Sequence, residues 1–114
     1  MQWTEKEEGG IIILNLAGEI DLQHSPELRK VLQGKIHAKC PALLVDFQGV
    51  NYIDSSGLAT LVEYRRDSRK YDGGFALANL NARVRTIFEL VRLNEIISLH
   101  GTVDEAKASL QSKS

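Results

Sequence analysis

One cysteine, Cys40, stands alone in 114 residues, so no internal disulfide framework is possible. The three histidines, His24, His37 and His100, are scattered, and with a lone thiol they supply no zinc-ligand spacing. A reducing compartment is expected. Long apolar runs are also missing: none approaches the roughly 20 residues of a membrane span. The opening Met1-Gln2-Trp3-Thr4-Glu5-Lys6 lacks the basic start and apolar centre of a secretory signal. The cytoplasm is therefore the expected location, with no membrane partner. Charge of one sign is not in excess either. A net charge of -1 gives no field that would gather a polyanion, so no nucleic-acid partner is expected. The densest basic stretch, Arg65-Arg66-Asp67-Ser68-Arg69-Lys70, falls late on a predicted helix, where cations complement the dipole.

Several chemical signatures are absent as well. There is no P-loop, so tight nucleotide binding through a phosphate cradle is not expected, and no cofactor is implied. There is no Gly-x-Ser-x-Gly elbow, and no histidine is paired with both a serine and an orienting acid. An enzyme using Ser55 or Ser56 with His24, His37 or His100 is thereby disfavoured. No internal repeat, linker or low-complexity segment divides the chain, and its length suits one hydrophobic core, so a single domain over residues 1–114 is expected.

What is present is an alternation of strand-like and helical patterns. Gln2 to Glu7 is expected to pair with Ile11-Ile12-Ile13-Leu14-Asn15-Leu16 across a hairpin at Glu8-Gly9-Gly10. The latter run reads as a central strand buried on both faces. Ser25-Pro26-Glu27 begins a helix, with Ser25 as the expected cap and Leu28, Val31, Leu32 and Ile36 as its apolar stripe. Cys40-Pro41 ends the connection, because the residue before proline is pushed out of the helical region. Ala42 to Phe47 reads as a second buried strand. A second helix carries Leu58, Leu61 and Val62 and closes at Asp72-Gly73-Gly74.

Phe75-Ala76-Leu77-Ala78 is the next strand, and a third helix from Asn81 places Val84, Ile87, Phe88 and Val91 on one face. Ile96 to Leu99 forms a short last strand. Thr102 and Glu105 have capping-box spacing before a helix with Val103, Ala106 and Leu110 inward, and Gln111 to Ser114 is expected to fray. The sequence thus predicts an α/β fold, a mixed and mostly parallel central sheet of about five strands with about four helices.

In such a sheet the functional crevice forms where loops leave the carboxyl ends of strands. Two polar loops are expected there, Gly18-Glu19-Ile20-Asp21 and Asp54-Ser55-Ser56-Gly57. If their strands are parallel neighbours, Asp21 and Ser56 share one edge. Asp54 or Ser55 would cap the helix and Gly57 would allow close packing. Ser56 would lie in the first turn, where free amides and the dipole favour added negative charge.

Val45-Asp46-Phe47 with Val50, then Ile53-Asp54-Ser55-Ser56-Gly57-Leu58 and the earlier Gly18-Glu19-Ile20-Asp21, resembles the anti-sigma factor antagonist family, the stand-alone STAS domains. The resemblance extends through Arg83-Val84 and Ile87-Phe88-Glu89-Leu90. It departs locally at Gln48, where the family often has a small hydroxyl residue in the turn after the strand. It implies that Ser56, second serine of its string, is the phosphorylated residue. It also implies that an anti-sigma factor serine kinase engages Asp21, Asp54, Ser55, Ser56 and Gly57. Binding of the unmodified domain would free a sigma factor, phosphorylation would end the association, and a PP2C-type phosphatase would reset it. Related domains in stress-signalling assemblies and transporter tails supply the alternative, a phosphate-independent docking subunit in which Ser56 only helps start a helix.

Overall fold

The computed structural model describes residues 1–112. It opens with a hairpin of strands β1 (Gln2–Glu8) and β2 (Ile11–Ile20), paired antiparallel with Glu8 opposite Ile11. The two residues between them, Gly9 and Gly10, have φ of 58° and 82°. Both are left-handed, as a two-residue turn of the primed type requires, and glycine adopts that conformation without a Cβ penalty. The outer edge of β1 carries Glu5, Lys6 and Glu7, charges that discourage a further chain from pairing there.

Strands then alternate with helices: α1 (Ser25–His37), β3 (Ala42–Ile53), α2 (Ser55–Arg69), β4 (Gly74–Ala78), α3 (Ala82–Leu90), β5 (Ser98–His100) and α4 (Val103–Gln111). A 3₁₀ turn at Leu93–Glu95 precedes β5. The five strands lie in the order β1-β2-β3-β4-β5, and every pair after the first is parallel. The expected α/β fold with a mixed, mostly parallel sheet is the one adopted. The middle position belongs to β3, however, and not to β2, because the hairpin places β1 outside it. The apolar run of β2 is still covered on both sides. Leu14 and Leu16 join the core under the first three helices, and Ile11 and Ile13 join the cluster under α4.

The strand period of two sorts β3 in the same way. Leu43, Val45 and Phe47 face the main core with Leu28 and Leu32 of α1, Leu61 and Tyr64 of α2, and Val84 and Phe88 of α3. Phe47 and Phe88 meet edge to face, with centroids 6.0 Å apart. Leu44 faces the other side, against Ala106 and Leu110 of α4. No helix among the described residues is long and apolar enough to cross a membrane.

Local expectations are corrected in five places, the first being the last strand, which runs from Ser98 to His100 and leaves Ile96 and Ile97 ahead of it. Ser25 is not a cap: it is buried in the first turn of α1, and the N-cap position is His24, whose side chain makes no capping bond. The segment after Phe47 does not turn. β3 continues to Ile53 by absorbing one extra residue between Asp46 and Gly49 and another between Val50 and Tyr52, so Gln48 lies in a bulge. Val91 is half-exposed, since α3 stops at Leu90 and Arg92 turns left-handed. Gln111 is the last residue of α4, and the expectation for residues 113–114 lies outside the described residues. At the start of α4 the Thr102 hydroxyl accepts from the Glu105 amide at 3.1 Å, as the capping spacing predicts.

Candidate functional site

β2 and β3 are parallel neighbours with Ile20 opposite Ile53, so the residues that follow, Asp21 and Asp54, leave the sheet side by side at its carboxyl edge. The two loops are joined directly. The Asp54 amide donates to the Ile20 carbonyl at 3.1 Å, and the Leu22 amide donates to Asp54 Oδ2 at 3.0 Å. The condition set by the sequence, parallel adjacent parent strands, is met.

Asp54 has extended backbone and caps α2. Its Oδ1 accepts from the Ser56 amide at 2.9 Å, the Gly57 amide at 3.2 Å and the Ser56 hydroxyl at 2.5 Å. Bonding to the Ser56 hydroxyl is the chief cause holding this carboxyl below its usual range. Desolvation opposes it, and the three backbone amides reinforce it. Asp54 is thus a carboxylate at neutral pH. Ser55 is exposed, Ser56 half-buried and Gly57 buried against Ile20 and Ile53.

Asp21 closes its own turn. Its Oδ1 accepts from the Gln23 and His24 amides, each at 3.1 Å, and lies 2.7 Å from His24 Nδ1. Desolvation pushes this carboxyl upward, but the His24 bonds and the Gln23 amide outweigh it and leave it below the ordinary range. The preceding turn thereby does the ordering that Ser25 was expected to do.

All five site residues named by the sequence, Asp21, Asp54, Ser55, Ser56 and Gly57, therefore lie in two joined turns at one edge of the sheet. Sequence reasoning missed three features around them. His24 pairs with Asp21, for which the spacing of three residues was the available signal. Leu22 projects beside the turns at 75% exposure, held in place through its amide. A shallow concavity of about 370 Å³, lined by Glu19, Asn51, Tyr52 and Arg83, opens where β2 and β3 end and α3 begins. Those residues are distant in sequence, and no local pattern joins them. A second open groove of about 410 Å³ lies on the sheet beside β1 and contains none of the site residues.

Residues 2–106 match the STAS domain family. The chain belongs to that family. Among relatives, the anti-sigma-B factor antagonist of Bacillus subtilis is 32% identical over 94 residues, covering 82% of this STAS domain and 85% of that protein. Among solved structures, an anti-sigma factor antagonist from Mycobacterium paratuberculosis superposes with a TM-score of 0.90 at 24% identity, covering 96% of this chain and 93% of that one. The Bacillus cell fate determinant SpoIIAA in its phosphorylated form superposes with a TM-score of 0.73 at 19% identity, covering 96% and 99%. At those identities the structures speak for the fold alone. The first two of these proteins are named as anti-sigma factor antagonists.

Proposed function

We propose that this STAS domain is an anti-sigma factor antagonist. Unphosphorylated, it binds an anti-sigma factor that is also a serine kinase and so frees a sigma factor. Phosphorylation of Ser56 ends the association, and a PP2C-type phosphatase restores it. The observation that carries the reading is a half-buried serine hydroxyl on the first turn of α2, already against a carboxylate, in a chain of this family.

The electrostatics support such a switch. A phosphate brings about -1.5 to -2 charges at neutral pH. It would also remove the proton that Ser56 donates to Asp54, leaving two anions where a hydrogen bond had been. Within the isolated domain, water and the α2 dipole offset that repulsion, the dipole by about 0.3 to 1 kcal/mol. A bound protein covering the turn would instead have to desolvate a dianion beside Asp54. Each ~1.4 kcal/mol lost is a tenfold fall in affinity, so a modest mismatch suffices.

The test is calorimetric titration of an anti-sigma serine kinase with Ser56→Ala and Ser56→Asp, alongside mass spectrometry of the wild-type domain after incubation with kinase and ATP. Persistent binding of Ser56→Ala, binding of Ser56→Asp weaker by at least tenfold, and phosphate on Ser56 are expected. Equal affinities with an unmodified Ser56 would instead favour a phosphate-independent docking subunit.

A further inference from the structure

Apart from Trp3, the large apolar side chains left at the surface fall in two places. Leu22 and Tyr52 lie at the carboxyl edge of the sheet, near the turns already described. Leu90, Val91 and Ile96, at 78%, 53% and 41% exposure, gather around the turn that leads from α3 into β5. β4 and β5 are parallel, and α3 returns the chain from the carboxyl end of one to the amino end of the other. This second group therefore lies at the opposite edge of the sheet from Ser56. Single exposed apolar residues are ordinary on a protein surface, whereas three around one short turn form a patch.

The backbone beneath them is well anchored. The Val91 amide donates to the Ile87 carbonyl, and Arg92, with φ of 62°, turns the chain out of α3. The Ile96 and Ile97 amides both donate to the Leu93 carbonyl, at 3.1 and 2.8 Å, while Leu93 and the buried Ile97 pack into the main core. The exposed side chains thus stand on a fixed base, so little backbone ordering opposes association there.

The residues of the turn are also symmetric in kind. Outward from its centre between Leu93 and Asn94, Arg92 stands opposite Glu95 and Val91 opposite Ile96. Among the described residues neither Arg92 nor Glu95 forms an ion pair, whereas Arg85 and Glu89 just before them satisfy each other at 3.5 Å. A surface with one free charge of each sign, each beside an apolar side chain, is its own complement under a twofold rotation, in which residue i meets residue j and j meets i.

We propose that this turn pairs with the same turn of a second copy of the chain about a twofold axis, Val91 against Ile96 and Arg92 against Glu95. Asn94, exposed near the axis, meets its own counterpart, and an amide side chain both donates and accepts. The sheet edges offer no such match, since β1 carries charges along its outer side and β5 is three residues long. With the contact at the edge opposite Ser56, both Ser56 turns of the pair stay open to a partner, and the inference does not depend on what happens at Ser56. The contact is far smaller than the roughly 20–30 residues a side of a standard interface, so a weak dimer is expected, with a dissociation constant of about 0.1–1 mM.

The test is sedimentation equilibrium of the full chain from about 20 μM to about 2 mM, on wild type, Arg92→Glu, Glu95→Arg and the double reversal. Concentration-dependent amide shifts in the NMR spectrum locate the contact, and thermal melts confirm that each variant is folded. A wild-type dimer with shifts centred on residues 90–96 is expected. Each single reversal sets like charges against each other and should weaken association by about tenfold or more, while the double reversal should return it to within about threefold of wild type. A wild-type chain that stays monomeric throughout this range would overturn the proposal and leave the patch to a different protein. So would a dimer whose shifts map to a sheet edge, or one that the single reversals leave unchanged or the double fails to restore.

Discussion

At the scale of single residues, Asp54 carries more structure than any other group at the edge of the sheet. One carboxylate oxygen holds the first turn of α2 and the other holds the Leu22 turn, so its ionisation is coupled to folding. Asp54, Asp21 and Asp67 all have carboxyl groups held below the ordinary range. For Asp67 the chief cause is the Arg66 bond. A carboxyl depressed in the folded state contributes stability that is complete above its unfolded value, about 4, and is lost as pH falls through the lower folded value. Thermal midpoints are therefore expected to stay level down to about pH 5 and to drop below about pH 4. Asp54→Asn should flatten part of that acid limb, and melting curves across this range check it.

At the scale of elements, the start of α2 is pressed against the ends of β2 and β3 with no room to spare. A Cβ on Gly57 would lie 2.7 Å from Ile20 Cγ2, 2.8 Å from Ile53 Cγ1 and 2.9 Å from the Ile20 carbonyl oxygen. Gly57→Ala must push the helix away from the sheet, and a cost of about 1–3 kcal/mol is expected in urea unfolding. Gly34 provides the contrast. It lies exposed within α1 with nothing within 4 Å of the position a Cβ would take. There the same substitution only removes backbone freedom from the unfolded chain, and a gain of about 0.5–1 kcal/mol is expected. Opposite signs for one chemical change would show that packing, and not glycine as such, decides at Gly57.

At the scale of the whole molecule, stability resides in the layer between the sheet and α1, α2 and α3. Leu61, fully buried, lies in that layer, and Leu61→Ala is expected to cost about 2–5 kcal/mol, read as a lower urea midpoint. The same layer fixes the height of α2 above β3, and so the place of Ser56. α4 contributes from the other side through Ala106 and Leu110, while Lys107 Nζ reaches Glu8 at 2.7 Å and ties it to the hairpin. That pair lies at the surface, where water and salt screen it, so the apolar contacts hold α4 in place.

The sequence by itself determined the alternation of strands and helices, because periods of two and near four are properties of the apolar residues in order along the chain. It also determined the polar string that begins α2, since a cap is recognised within three residues. Only the tertiary structure decided which strand is central, that β3 runs through Gln48 as a bulge, and that Ser25 is buried in place of capping. The first two depend on which strands pair and in what register, and the third on the packing of Ser25 into the core while Asp21 orders the turn just ahead of α1. The joining of the Asp21 and Asp54 turns through the Leu22 amide belongs to that second class, since 32 residues separate its two ends and only sheet pairing brings them together.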